Sequence, residues 1–208
     1  MGCCNKICAN ACSAICCVLG FIFFIIAAAG NSDDENTLQD VPWAVGEIGA
    51  FTTNDVFLGT SAVYVSDSDV TKFSDDCGSY SWCGDCESAG ATGVAMASLS
   101  IILVVVCLVM NVLQLTGKDA IAFKIVAIVC TLLAFIFPLI AFIGYRSCMQ
   151  SFVDDIAAQT GAASLGNGTG MWMLLIGFII MLIALICNAS TFCCKGGNDA
   201  VGQEAKPE

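Results

Sequence analysis

Four uninterrupted apolar runs constrain this chain more than any other feature: Cys8 to Ala29, Gly93 to Leu115, Ile121 to Gly144 and Gly170 to Thr191. A hydrocarbon core ~30 Å thick calls for ~20 consecutive apolar residues in helical form. In lipid, a helix is one of only two structures that satisfy their own backbone hydrogen bonds. The sequence therefore predicts a four-helix transmembrane bundle, an all-α membrane protein apart from whatever its loops form. Composition agrees, since 12% of the 208 residues are charged and 58% are hydrophobic, against ~25% charged in a soluble domain.

The connections divide the chain into a short N-terminus with the first span (1–29), a large first outer loop (30–92), a hairpin of spans two and three (93–144), a second outer loop (145–169), the fourth span (170–191) and a tail (192–208). The turn Thr116 to Ala120 is so short that spans two and three must run antiparallel. Lys6, Lys118, Lys124, Lys195 and Lys206 fall on one side of the bundle, and Lys72 and Arg146 on the other. By the positive-inside rule both termini face the cytoplasm and the long loops lie outside, with the plasma membrane as the expected location. Ala27-Ala28-Ala29 before Gly30 could be read as a signal-peptidase site. The apolar run is longer than a signal peptide's core of ~7–15 residues, so it reads as an uncleaved anchor.

No span has an ionisable side chain in its central part, and the chain has no histidine. Proton relays and coupled transporters usually show an intramembrane acid or base, and histidine is the commonest general base and metal ligand. The expectation is a non-catalytic protein with no cofactor, no metal site and no nucleic-acid partner, whose partners are membrane lipids and either itself or another integral membrane protein. Small residues at Gly93 and Ala97, and at Gly170, Gly177 and Ala184, are read as lateral helix-packing stripes, with packing inside the bundle as the alternative.

The first outer loop is strongly acidic, with Lys72 its only cation. Asp67, Asp69, Asp75 and Asp76 form a patch that could bind cations weakly, although a solvated surface explains it as well. The stretches Trp43 to Thr52 and Val56 to Val65, parted by Thr53-Asn54-Asp55, have the composition of a β-hairpin, and Ser79 to Trp82 could add a third strand. So small a sheet needs a disulfide and the bundle to support it.

Of fifteen cysteines, Cys77, Cys83, Cys86 and Cys148 fall outside. Four in an oxidising compartment imply two disulfides with three connectivities open; the pairing expected is Cys77 with Cys86 and Cys83 with Cys148. Cys83-Gly84-Asp85-Cys86 is also a C-x-x-C, so a membrane thiol-disulfide oxidoreductase is an alternative reading. Cys3, Cys4, Cys193 and Cys194 make two juxtamembrane pairs at the inner face, the setting of S-palmitoylation. Cys4, Cys8, Cys12 and Cys16 recur every fourth residue along one face of the first helix.

Four spans with a large first loop, Pro42-Trp43 early in it, Leu58-Gly59-Thr60 further on and a cysteine pair beyond resemble the claudin, peripheral myelin protein and calcium-channel gamma-subunit superfamily. Tyr145-Arg146-Ser147-Cys148 and Gly168 to Trp172 are similar to the amastins of the same group. The resemblance implies a left-handed bundle carrying a small disulfide-held extracellular β-sheet. It also implies that Pro42, Trp43 and Gly59 shape or present the loop, and Trp82 of the candidate third strand is expected to join them. The function it implies is membrane organisation, adhesion or junction building, or service as a subunit of a larger complex, with a pore-forming or channel-auxiliary role as the alternative.

Overall fold

The structure is a computed structural model that describes residues 6–49, 54–66, 68–74, 80–118 and 120–193. Helix α1 (Lys6–Ala29) leads through the short α2 (Glu35–Asp40) to strands β1 (Ala44–Ile48), β2 (Asn54–Leu58), β3 (Ala62–Val65) and β4 (Thr71–Lys72). Helices α3 (Ser81–Leu115) and α4 (Ile121–Thr160) follow, then β5 (Ala163–Asn167) and α5 (Thr169–Cys193). Four helices among the described residues, α1, α3, α4 and α5, are long and apolar enough to cross a membrane. Around the bundle α1 packs on α3 and α5, and α4 packs on the same two, closing a ring.

The polarity of this ring is that of a protein dissolved in lipid. Ile7, Ile15, Ile102, Ile125, Ile143, Ile179 and Ile186 are each more than half exposed. Ala9, Ser13, Ala27, Ala97, Asn111, Ala134, Ala141 and Ala184 are buried. In water the large aliphatic side chains would be driven inward. In a bilayer that drive is absent, and small or hydrogen-bonding residues take the helix contacts. The chain is a multi-pass membrane protein.

Helices α3 and α4 outrun the bilayer. With 35 and 40 residues they measure ~52 and ~60 Å at 1.5 Å per residue, against a hydrocarbon core of ~30 Å. The excess rises at the sheet-bearing end, because the other ends meet in the turn after Thr116. A third strand at Ser79 to Trp82 is therefore not formed: Tyr80 is the N-cap of α3 and Trp82 lies in its first turn. The loop expected over 145–169 is likewise mostly the end of α4, stopped by Gly161 with φ 83°.

The expected hairpin is present as β1 and β2, in register Ala44 with Leu58 and Ile48 with Asn54. The run Val56 to Val65 breaks at Gly59 into two strands, with the Gly59 amide donating to the Ala62 carbonyl at 2.9 Å. The sheet has five antiparallel strands among the described residues, in order β4-β3-β2-β1-β5. Its edge strand β5 comes from the second loop and was not expected. It lies so close to β1 that a Cβ on Gly46 would collide with the Ser164 carbonyl.

Candidate functional site at the sheet-bearing end

Trp43 joins the sheet to the membrane bundle. It enters the sheet at the head of β1, where its amide donates to the Leu58 carbonyl at 2.8 Å and its own carbonyl accepts from Gly168 at 2.9 Å. Its fully buried ring turns down between all four spans. The indole Nε1 donates to the Ala27 carbonyl on α1 at 2.8 Å. The ring meets Tyr145 of α4 edge to face, centroids 5.0 Å apart. A Cβ added at Gly93 of α3 or Gly170 of α5 would stand 2.9 or 2.7 Å from the indole. Those glycines exist to admit the ring.

Pro42 and Gly59 belong to the same joint. The Pro42 carbonyl accepts from the Gly170 amide at 2.8 Å, and the Gly59 carbonyl accepts from the buried Tyr145 hydroxyl at 2.6 Å. Three of the four loop residues singled out from the sequence thus meet at one place. Trp82 heads a second cluster, edge to face with Phe152 at 4.8 Å and with Phe73 at 6.1 Å. That cluster packs α3 against α4 beyond the membrane.

The cysteine pairing differs from the one expected. Cys86 is bonded to Cys148, with Cα atoms 4.6 Å apart, so Cys77 does not bond Cys86 and Cys83 does not bond Cys148. The physical reason is the helical state of residues 81–92. Cys83 and Cys86 stand on one face of α3 a turn apart, and Cys86 is the one level with Cys148 on α4. Cys83 is disulfide-bonded too, and Cys77 lies outside the described residues. The C-x-x-C is thus not closed on itself, and the disulfide between α3 and α4 ties helices instead of holding the sheet. A hydrogen bond from Ser151 to the Asp85 carboxylate, 2.9 Å, reinforces the same tie.

Of the acidic patch, Asp67, Asp75 and Asp76 lie outside the described residues, and Asp69 is exposed. Nearby, Asp33 and Lys72 form an ion pair. The hydrogen bond from the Lys72 ammonium holds the Asp33 carboxyl below its usual range. Among the proposed lipidation sites, Cys3, Cys4 and Cys194 lie outside the described residues and Cys193 ends α5. The small-residue stripes face inward. Gly93 and Gly170 receive Trp43, Gly177 receives Phe24, and Ala97 and Ala184 are fully buried. The lateral-packing reading is thereby replaced by packing inside the bundle.

A polar layer at the opposite end of the bundle was missed in the sequence. Asn111 Nδ2 on α3 donates to Ser13 Oγ on α1 at 2.9 Å and to Cys107 Sγ at 3.4 Å. Asn188 Nδ2 on α5 reaches the same sulfur at 3.6 Å, and Cys17 donates to it at 3.4 Å. The antiparallel register of these contacts sets Asn10 level with Gln114. Interhelical hydrogen bonds of this kind average ~0.6 kcal/mol in membranes, so the layer fixes which helix faces meet more than it adds stability. A search for charges passes over it, whereas Asn or Gln inside an apolar run was the available signal. Lys124, one turn inside α4, leans over the Phe192 ring at 5.8 Å.

No family model matches the chain, and no curated protein is significantly similar to it.

Proposed function

We propose that this is a non-catalytic, claudin-like integral membrane protein that organises a membrane patch, a junction or a larger complex by presenting its sheet-bearing end to a partner. One observation carries the reading: Trp43 is seated in the sheet and among all four spans at once. A sheet coupled in this way is a fixed platform, and binding to it loses little conformational entropy. The tie between Cys86 and Cys148 extends that rigidity to the helical ends beside the sheet. In this reading the sheet lies outside the plasma membrane, both termini are cytoplasmic, and acyl chains on Cys3, Cys4, Cys193 and Cys194 hold the inner ends at the bilayer surface.

Extraction in mild detergent with mass measurement by light scattering tests it. The wild type is expected as an assembly larger than one chain plus its micelle. Trp43→Ala is expected to release monomers with the four spans still inserted, because each span satisfies its own backbone. A strictly monomeric wild type that turns over a dithiol substrate would sink the proposal.

A further inference from the structure

One face of α4 changes character within two turns. Leu139 and Ile143 point outward, 39% and 62% exposed, as lipid-facing side chains should. Arg146 and Gln150 continue the same helical face, also exposed, since steps of three and four residues return to one side of a helix. The bilayer boundary on this face therefore falls at Arg146. Two aromatic residues put it at the same depth. Tyr145, the adjacent residue, packs against the Trp43 ring that closes the bundle, and Trp172, 54% exposed in the first turn of α5, has the position of an interfacial anchor.

At this depth lies a groove of about 440 Å³ between α4 and the sheet edge, lined by Ile143, Arg146, Ser147 and Gln150 and by the apolar Met149, Val153 and Leu165. Leu165 overhangs it from β5, the last strand of the sheet. Among the described residues Arg146 has neither a hydrogen bond nor an ion pair, although acids far outnumber bases at this end, where the other cation, Lys72, is paired with Asp33. A guanidinium at headgroup depth, beside hydroxyl and amide side chains and above an apolar stripe, is complementary to one kind of molecule: an anionic phosphate joined to a hydrocarbon chain.

We propose that this groove is a binding site for a phospholipid of the leaflet on the sheet-bearing side. Arg146 takes the phosphate through paired N–H donors, Ser147 and Gln150 contact the rest of the headgroup, and an acyl chain runs down Ile143 and Leu139. The volume suits a headgroup with its glycerol. A free phosphate ion would leave the apolar stripe of Ile143 and Leu139 unused. The inference needs only that the four spans cross a bilayer, and it stands or falls apart from the assembly reading above.

Native mass spectrometry of the full chain, stripped of lipid in mild detergent, provides the test. The probes are phosphatidylglycerol, diacylglycerol with the same chains, and glycerol phosphate. The wild type is expected to bind one phosphatidylglycerol ~10–100-fold more tightly than any later one, the difference one charge-assisted contact pair makes. Arg146→Gln should abolish that first step, and Arg146→Lys should keep only part of it, because an ammonium loses the paired geometry. Leu165→Trp should block the groove with the arginine still in place. Unchanged helix content and melting temperature in each variant would assign these losses to the site and not to unfolding. Equal first-step binding by Arg146→Gln would overturn the proposal. So would diacylglycerol binding as tightly as phosphatidylglycerol, or glycerol phosphate displacing it at equal concentration.

Discussion

At the scale of single residues, Trp43 concentrates more of the fold than any other side chain. It combines complete burial, a hydrogen bond to a helix-end carbonyl and an edge-to-face contact with Tyr145. Trp43→Ala is expected to cost ~3–5 kcal/mol, the usual range for truncating a buried large aromatic. Trp43→Phe keeps most of the apolar contact but leaves the Ala27 carbonyl without its indole donor, at a cost of ~1–3 kcal/mol. Thermal unfolding in one detergent should rank wild type, Phe and Ala in that order. Equal melting temperatures for Phe and Ala would mean that the hydrogen bond, and not ring packing, carries the effect. Pro42-Trp43 stood out in the sequence by resemblance. Its receivers, Gly93 and Gly170, stood out only as small residues. What they receive is not legible locally, because the ring arrives from a loop far away along the chain.

Among the elements, the decisive departure from expectation is the length of α3 and α4. The stretch 81–92 holds two serines, two glycines, two alanines and the acids Asp85 and Glu87, a composition that reads as loop. It becomes helix because α4 runs alongside and the two share the Trp82 and Phe152 contact, the Asp85 and Ser151 hydrogen bond and the Cys86 and Cys148 bond. Loop-closure entropy for a separation of 62 residues gives at most ~4 kcal/mol. The membrane-inserted unfolded state already confines the chain, so the true figure is smaller. Replacing Cys86 and Cys148 together by Ser is expected to raise amide exchange in 81–92 and 146–160 while leaving the spans protected. Unchanged exchange there would show that aromatic packing alone holds the extension. Strand β5 is the second departure. Ala163 to Asn167 includes a glycine and little β-branching, and it pairs only because β1 offers an edge with a glycine at the point of closest approach.

For the whole molecule, orientation is the property most open to test. If Lys6, Lys118 and Lys124 set it, an impermeant thiol reagent on intact cells should label a cysteine introduced at Ser68 and not one at Gly117. Labelling at Gly117 would invert the topology and put the sheet in the cytoplasm. The sequence by itself determined the four spans, the tight hairpin between the second and third, and the presence of a β-hairpin in the first loop. Length of apolar run and β-rich composition around a turn are local quantities, and a bilayer of fixed thickness reads the first directly. Only the tertiary structure decided that Cys86 meets Cys148, that both long loops contribute to one sheet, that the small residues face inward, and that Asn111, Ser13 and Cys107 share a polar layer. Each of these is a meeting of segments distant in sequence. The depth of one helix against another fixes it, and no single stretch of sequence carries that depth.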